Sequence, residues 1–185
     1  MYKKIVNVFL KDYTMQSAKK IMKLRMRILI TKSKVLKLLY IRKYRKLLFK
    51  NNSFLPTTNE ISNDLTFPHG IVGIFVSNNA RIGDNCVIFQ HVTIGSNTLN
   101  DSKNKGFPII GNNCYIGAGA KIIGNVKVGN NVRIGANAVV VENIPDNSTV
   151  VGVKSRVIQK NKTMNNSFLG SKEFLNTVNN VNEDV

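Results

Sequence analysis

The chain contains two histidines, His69 in the string FPHG and His91 in IFQHVTIG. An imidazole titrates near neutrality, so it can take the proton from a hydroxyl as that oxygen attacks an electrophile. Asp64 and Glu60 are the nearest carboxylates that could hold the His69 ring, and the sequence leaves both open. The other reactive side chains are Cys86 and Cys114. Two histidines and two cysteines give a zinc or redox motif no ligand set to work with, so no metal is expected.

These residues are carried by a six-residue beat between Val76 and Val140. Aliphatic residues fall at Val76, Ile82, Ile88 and Ile94, then at Ile110, Ile116, Ile122, Val128, Ile134 and Val140. A period of six fits neither a helix nor an alternating strand over this length, so the unit is a short strand plus a turn, repeated. That predicts a mainly β fold, a parallel β-helix, with three hexapeptides per coil. Corners such as Gly83-Asp84-Asn85, Gly111-Asn112-Asn113 and Gly129-Asn130-Asn131 use residues that tolerate left-handed backbone angles. Sixteen residues separate Ile94 from Ile110, which is one hexapeptide plus ten, so an extruded loop is expected there with the register kept beyond it. Cys86 and Cys114 both occupy the inward small position and are expected to stack as free, buried thiols one coil apart.

Charge is concentrated at the start. Of the net +17, residues 1–50 hold sixteen Lys or Arg against the single acid Asp12. The same stretch has no Gly and no Pro and predicts two helices, roughly 13–31 and 33–49. This basic arm, 1–55, has three readings. It packs its apolar face on the β-helix or a neighbouring subunit, it lies on an anionic membrane surface, or it grips a polyanion; no nucleic-acid recognition motif accompanies the charge. The β-helix is assigned to 56–159 and a tail rich in Asn, Ser and Lys to 160–185. No apolar run approaches the ~18 to 20 residues that span a bilayer and no signal pattern is present, so a cytoplasmic protein is expected, with the inner membrane face open to it.

The strings FPHGIV, IFQHVTIG, a polar loop ending in FPIIG, IGAGAKIIGNVKVGNNVRIGANAVV, IPDNSTVVGV and KSRVI run from about Leu65 to Ile158. In that order they resemble the hexapeptide-repeat acyltransferases, and within them the serine-acetyltransferase-like branch that includes enzymes of surface polysaccharide modification. The resemblance implies a left-handed β-helix, a homotrimer, and acetyl transfer from acetyl-CoA to a hydroxyl. It also implies His69 as general base and a backbone N–H at Gly95 or Ser96 as oxyanion donor. The donor would lie in the groove between adjacent β-helices, along Gly117, Ala118, Gly119 and Ala120 with Ala136 and Ala138 a coil further, and Lys121, Lys154 and Arg156 would take its phosphates. GAGA also has a purely structural reading as coil corners. His91 is read as lining the acceptor site or the surface, with Asp64 and Phe107 as further acceptor-lining residues.

The chain departs from the serine-acetyltransferase pattern where that branch has an acid before the catalytic His and an Arg-His pair before the loop-closing Pro. Here stand Pro68, Gly106 and Phe107. Those changes remove ligands for a zwitterion, and Phe107 offers a ring to stack on a sugar. The expected function is therefore O-acetylation of a sugar hydroxyl in surface polysaccharide assembly, with serine O-acetylation as the alternative. A non-catalytic β-helix binding protein is the reading from another class, and a metal-dependent β-helix enzyme would need three histidine ligands.

Overall fold

The computed structural model describes residues 2–153, with side-chain burial from residue 15 onward. The expected tail, 160–185, lies outside these residues. Two helices open the chain, α1 (Tyr2–Ile30) and α2 (Lys34–Lys50). Both expected helices are present, and α1 begins earlier than the expected residue 13 because no Gly or Pro interrupts it. Ser33 caps α2 by accepting the Leu36 N–H at 3.4 Å, and the chain leaves the helix through Asn52 at φ +47°.

A buried side chain of α1 ties the helices to the first coil. Arg25 is 0% exposed and pairs with no carboxylate among the described residues. Its guanidinium instead donates to the carbonyls of Pro56 (3.0 Å), Thr58 (2.5 Å), Ile61 (2.6 Å) and Ser62 (3.3 Å), and to the Asn63 side-chain oxygen. A planar fork of five N–H groups suits this task, since the segment 56–63 has many carbonyls and little regular structure to satisfy them. Burial pulls the Arg25 pKa below its ordinary value. Beside it, the Tyr44 hydroxyl donates to Leu55 O at 2.8 Å.

Twelve short strands follow among the described residues. They are β1 (Leu65–Thr66), β2 (Phe75–Val76), β3 (Arg81–Ile82), β4 (Cys86–Ile88), β5 (Thr93–Gly95) and β6 (Ile109–Ile110). Then come β7 (Tyr115–Ile116), β8 (Lys121–Ile123), β9 (Lys127–Val128), β10 (Arg133–Ile134), β11 (Val139–Val140) and β12 (Thr149–Val150). They stack into three parallel sheets, β1-β4-β7-β10-β12, β2-β5-β8-β11 and β3-β6-β9, and the chain visits the three in rotation. This is the expected parallel β-helix. Val76 pairs with Ile94 and Ile110 with Val128, each eighteen residues on. Across the extruded loop Ile82 pairs with Ile110, so the ten extra residues leave the register intact. The aliphatic columns fill the interior, with Ile88, Ile94, Ile116, Ile122 and Ile134 all fully buried.

One corner runs down between the third sheet and the first. There Asn85, Asn113, Asn131 and Asn147 each adopt φ between +54° and +58°. Their amides also pair between coils, Asn85 with Asn113 at 2.8 Å and Asn131 with Asn147 at 3.0 Å. Asn thus supplies the left-handed turn, while the preceding Gly83, Gly111 and Gly129 are needed because a Cβ would meet the backbone of the coil beneath. Cys86 and Cys114 face inward beside this corner as free, buried thiols on neighbouring coils, as expected.

Candidate active site

The corner between the first sheet and the second carries His69. Inward residues at this corner are normally six apart, as Ile88 and Ile94 are, but Phe67 and Val76 are nine apart. The three extra residues widen the corner into the segment PHGIVGI, which turns through Gly70 at φ +79° and Gly73 at φ +63° and buries Ile71 and Ile74. His69 therefore stands out from the coil, exposed, above the corner of the coil below. There its Nδ1 lies 2.8 Å from Gln90 Oε1. With the Nδ1 proton given to that amide oxygen, Nε2 carries the lone pair. Phe89 meets the imidazole edge-to-face at 5.4 Å, and Tyr115 lies 5.0 Å beyond Phe89.

Gln90 was not singled out by the sequence, and the two carboxylates that were do not reach the ring. Glu60 pairs with Arg81 at 3.0 Å on the third sheet. Asp64 directly precedes β1, so it sits at the far edge of the first sheet from His69. A Gln in the string IFQHVTIG looks like an ordinary polar turn residue, and only the 21-residue first coil brings it under His69.

Below His69 the same corner descends through Gln90, Ala118 and Ala136. Residues one step on, Gly73, His91, Gly119 and Asn137, all have positive φ, from +56° to +71°. His91 is thus an exposed corner residue whose ring lies over Gly73, and its N–H donates to Val72 O at 3.0 Å. Gly117 and Gly119 are glycines because a Cβ would strike Ala136 and Asn137 of the next coil. The structural reading of GAGA therefore holds, and the same small residues leave a flat strip under His69. Lys121 reaches this strip, donating to Gly119 O at 2.7 Å and His91 O at 3.3 Å. Ala120 and Ala138 need correction as ligand contacts. Both are fully buried in the interior column, where their side chains cannot touch a molecule in the groove. Lys154 and Arg156 lie outside the described residues.

Gly95, Ser96 and Phe107 occupy the next corner, where the loop leaves β5 and returns at β6. The loop is pinned by paired bonds between Asn97 and Gly106, both 2.9 Å. A three-residue strand at a rise of about 3.3 Å per residue separates the two corners by roughly 10 Å. Within one chain His69 and the Gly95–Ser96 amides thus stand at opposite edges of the second sheet. Among the described residues no three His, Cys, Asp or Glu side chains gather as a metal site. A cavity of about 420 Å³ between α2 and the first coil, lined by Tyr44, Leu48, Phe49 and Phe54 among others, takes no residue from the His69 corner.

The family model described as bacterial transferase hexapeptide (six repeats) matches residues 107–141. Serine acetyltransferase of Staphylococcus epidermidis is 41% identical over 69 residues, covering 37% of this chain and 31% of that protein. Among solved structures, Neisseria gonorrhoeae serine acetyltransferase in complex with serine aligns with a TM-score of 0.55 and 28% identity, covering 76% of this chain and 55% of that one. Soybean serine acetyltransferase complexed with serine aligns with a TM-score of 0.54 and 30% identity, covering 66% and 49%. Residues 107–141 therefore match a hexapeptide-repeat transferase model, and the coils share the left-handed parallel β-helix fold of these structures. The chain is similar to the serine acetyltransferases. Its match spans about a third of the length of the curated relatives.

Proposed function

We propose that this chain transfers an acetyl group from acetyl-CoA to a hydroxyl, with His69 as general base. The observation that carries the reading is the His69–Gln90 pair at 2.8 Å, set above the small-residue strip of the same corner. Nε2 takes the hydroxyl proton as the oxygen attacks the thioester carbonyl. The tetrahedral intermediate collapses with cleavage of the C–S bond, and the imidazolium returns the proton to the departing CoA sulfur. Ala118, Gly119 and Ala136 let the pantetheine arm approach the coil wall, and Lys121 stands where a CoA phosphate would meet a cation.

The Gly95–Ser96 amides are the oxyanion donors in this reading. They lie across the second sheet from His69 within one chain, so this reading takes base and donor amides from two copies, as at the subunit boundaries of a homotrimer. The exposed apolar residues Phe75, Val139 and Val141 on the outer face of that sheet suit such a boundary. Acetyl-CoA as donor implies a cytoplasmic site of action.

The names of the relatives favour L-serine as the acceptor over the sugar expected from sequence. A sugar hydroxyl is the second reading. It is favoured by the Phe89–Tyr115 aromatic pair beside His69 and by Pro68, Gly106 and Phe107 at the departing positions.

Release of CoA thiol from acetyl-CoA, measured with L-serine, nucleotide sugars and a capsule-type oligosaccharide, tests both. Acceptor-dependent release that falls by about 10²–10⁴ in His69→Ala is expected. Turnover with L-serine alone overturns the sugar reading, turnover with a sugar alone overturns the serine reading, and absence of both turnover and CoA binding overturns catalysis.

A further inference from the structure

The helix α2 buries one face and leaves the other exposed, with no partner among the described residues. Tyr44 and Leu48 are buried, and Tyr40, Ile41 and Leu47 pack against the core. Round the helix from that face Val35, Leu38, Arg42, Arg45 and Phe49 recur at steps of three and four, so they form one stripe, flanked by Leu39 and Lys46. The Arg45 and Phe49 edge of the stripe also lines the cavity beside the first coil. The apolar members are far more exposed than a solvated helix needs, Val35 at 71%, Leu38 at 68%, Leu39 at 56% and Phe49 at 88%. The sequence KVLKLLYIRKYRKLLFK contains seven Lys or Arg and no acid.

We propose that this stripe is a membrane-surface contact that seats α2 on an anionic lipid leaflet. Apolar and basic side chains on one face are what such a surface takes up together. The aliphatic and aromatic residues enter the acyl boundary, and the ammonium and guanidinium groups meet lipid phosphates. A second copy of this chain is a poorer occupant. Residues 51–185 carry eleven Lys or Arg against nine acids, so no acid-rich stretch balances the helix, and two such helices face to face would oppose like charges. A nucleic acid is poorer too, since phosphate contacts use the cations and leave Val35, Leu38 and Phe49 in water. The proposal stands apart from the acetyl-transfer reading, because nothing in it uses His69 or its corner.

The test is co-sedimentation of the full chain with phosphatidylcholine vesicles made with and without phosphatidylglycerol. Binding to the anionic vesicles only, weakened by salt, is expected. The variant L38Q/L39Q and the variant R42Q/R45Q/K46Q should each weaken binding by about tenfold or more, with far-UV circular dichroism unchanged because Gln is a good helix former. Failure to bind anionic vesicles, equal binding to neutral ones, or binding that survives both variants overturns the proposal. So does a fall in oligomer size in L38Q/L39Q, which would make the stripe an interface between copies, or tighter binding to duplex DNA than to the vesicles.

Discussion

Gln90 Oε1 lies 2.8 Å from His69 Nδ1, one coil below it, and fixes which ring nitrogen is free to accept a proton. The partner is a neutral amide where a carboxylate was expected, so the imidazolium formed during turnover gains a hydrogen bond without a full counter-charge. Gln90→Leu should lower kcat on the order of tenfold to a hundredfold and leave KM for acetyl-CoA near its original value. Gln90→Glu keeps the acceptor and adds a charge, which favours the imidazolium, so the acid limb of the kcat–pH profile should move upward. Steady-state kinetics across pH measures both. An unaltered profile in Gln90→Glu would show that the amide has no part in holding the ring.

Arg25 stands at the join between helix and coil, fully buried, with its five N–H groups spent on the segment 56–63. Arg25→Met conserves much of the volume but leaves carbonyls of Pro56, Thr58 and Ile61 without a donor. A loss of roughly 3 kcal/mol or more in urea unfolding is expected, well above that of an exposed Arg. Arg25→Lys should rescue little, because a single ammonium cannot span carbonyls that a planar fork reaches together.

The coils were legible because one inward position recurs every six residues and most of the left-handed corners are made by Gly or Asn. The pairing of Ile82 with Ile110 across ten inserted residues follows from that period alone. His69 stood out in the sequence through its motif, and the nine residues from Phe67 to Val76 marked an irregular first coil around it. Gln90 was not, since its meaning depends on which residue the irregular first coil sets above it. The burial of Ala120 and Ala138 was implied by the same period, which places them inward and so takes them out of any groove. Arg25 was hidden because, in a stretch with sixteen basic residues, nothing in composition marks the one that turns inside.

Asn131 sits at φ +56°, with its amide bonded to Asn147. An L residue with a Cβ and no local hydrogen bond pays for that conformation, so Asn131→Ala should cost about 1–2 kcal/mol. Asn131→Gly should cost less, because it removes the amide pair and relieves the strain at once. Thermal denaturation of the two variants gives the order. A larger loss in the Gly variant would assign the stability to the amide pair instead of the backbone.

A buried phenol makes the fold sensitive to alkali. Burial pushes the Tyr44 hydroxyl upward, with Arg25 pulling back more weakly. The group keeps its proton in the folded chain at a pH where the unfolded chain has lost it. The stabilisation is complete below the unfolded value and is lost as pH rises past it, since the unfolded state then binds fewer protons. The melting temperature should therefore decline from about pH 10 upward, where an ordinary tyrosine ionises. Tyr44→Phe gives up the 2.8 Å bond to Leu55 O and should melt lower at neutral pH, but with a shallower decline above pH 10. Equal slopes for the two proteins would remove Tyr44 from this account.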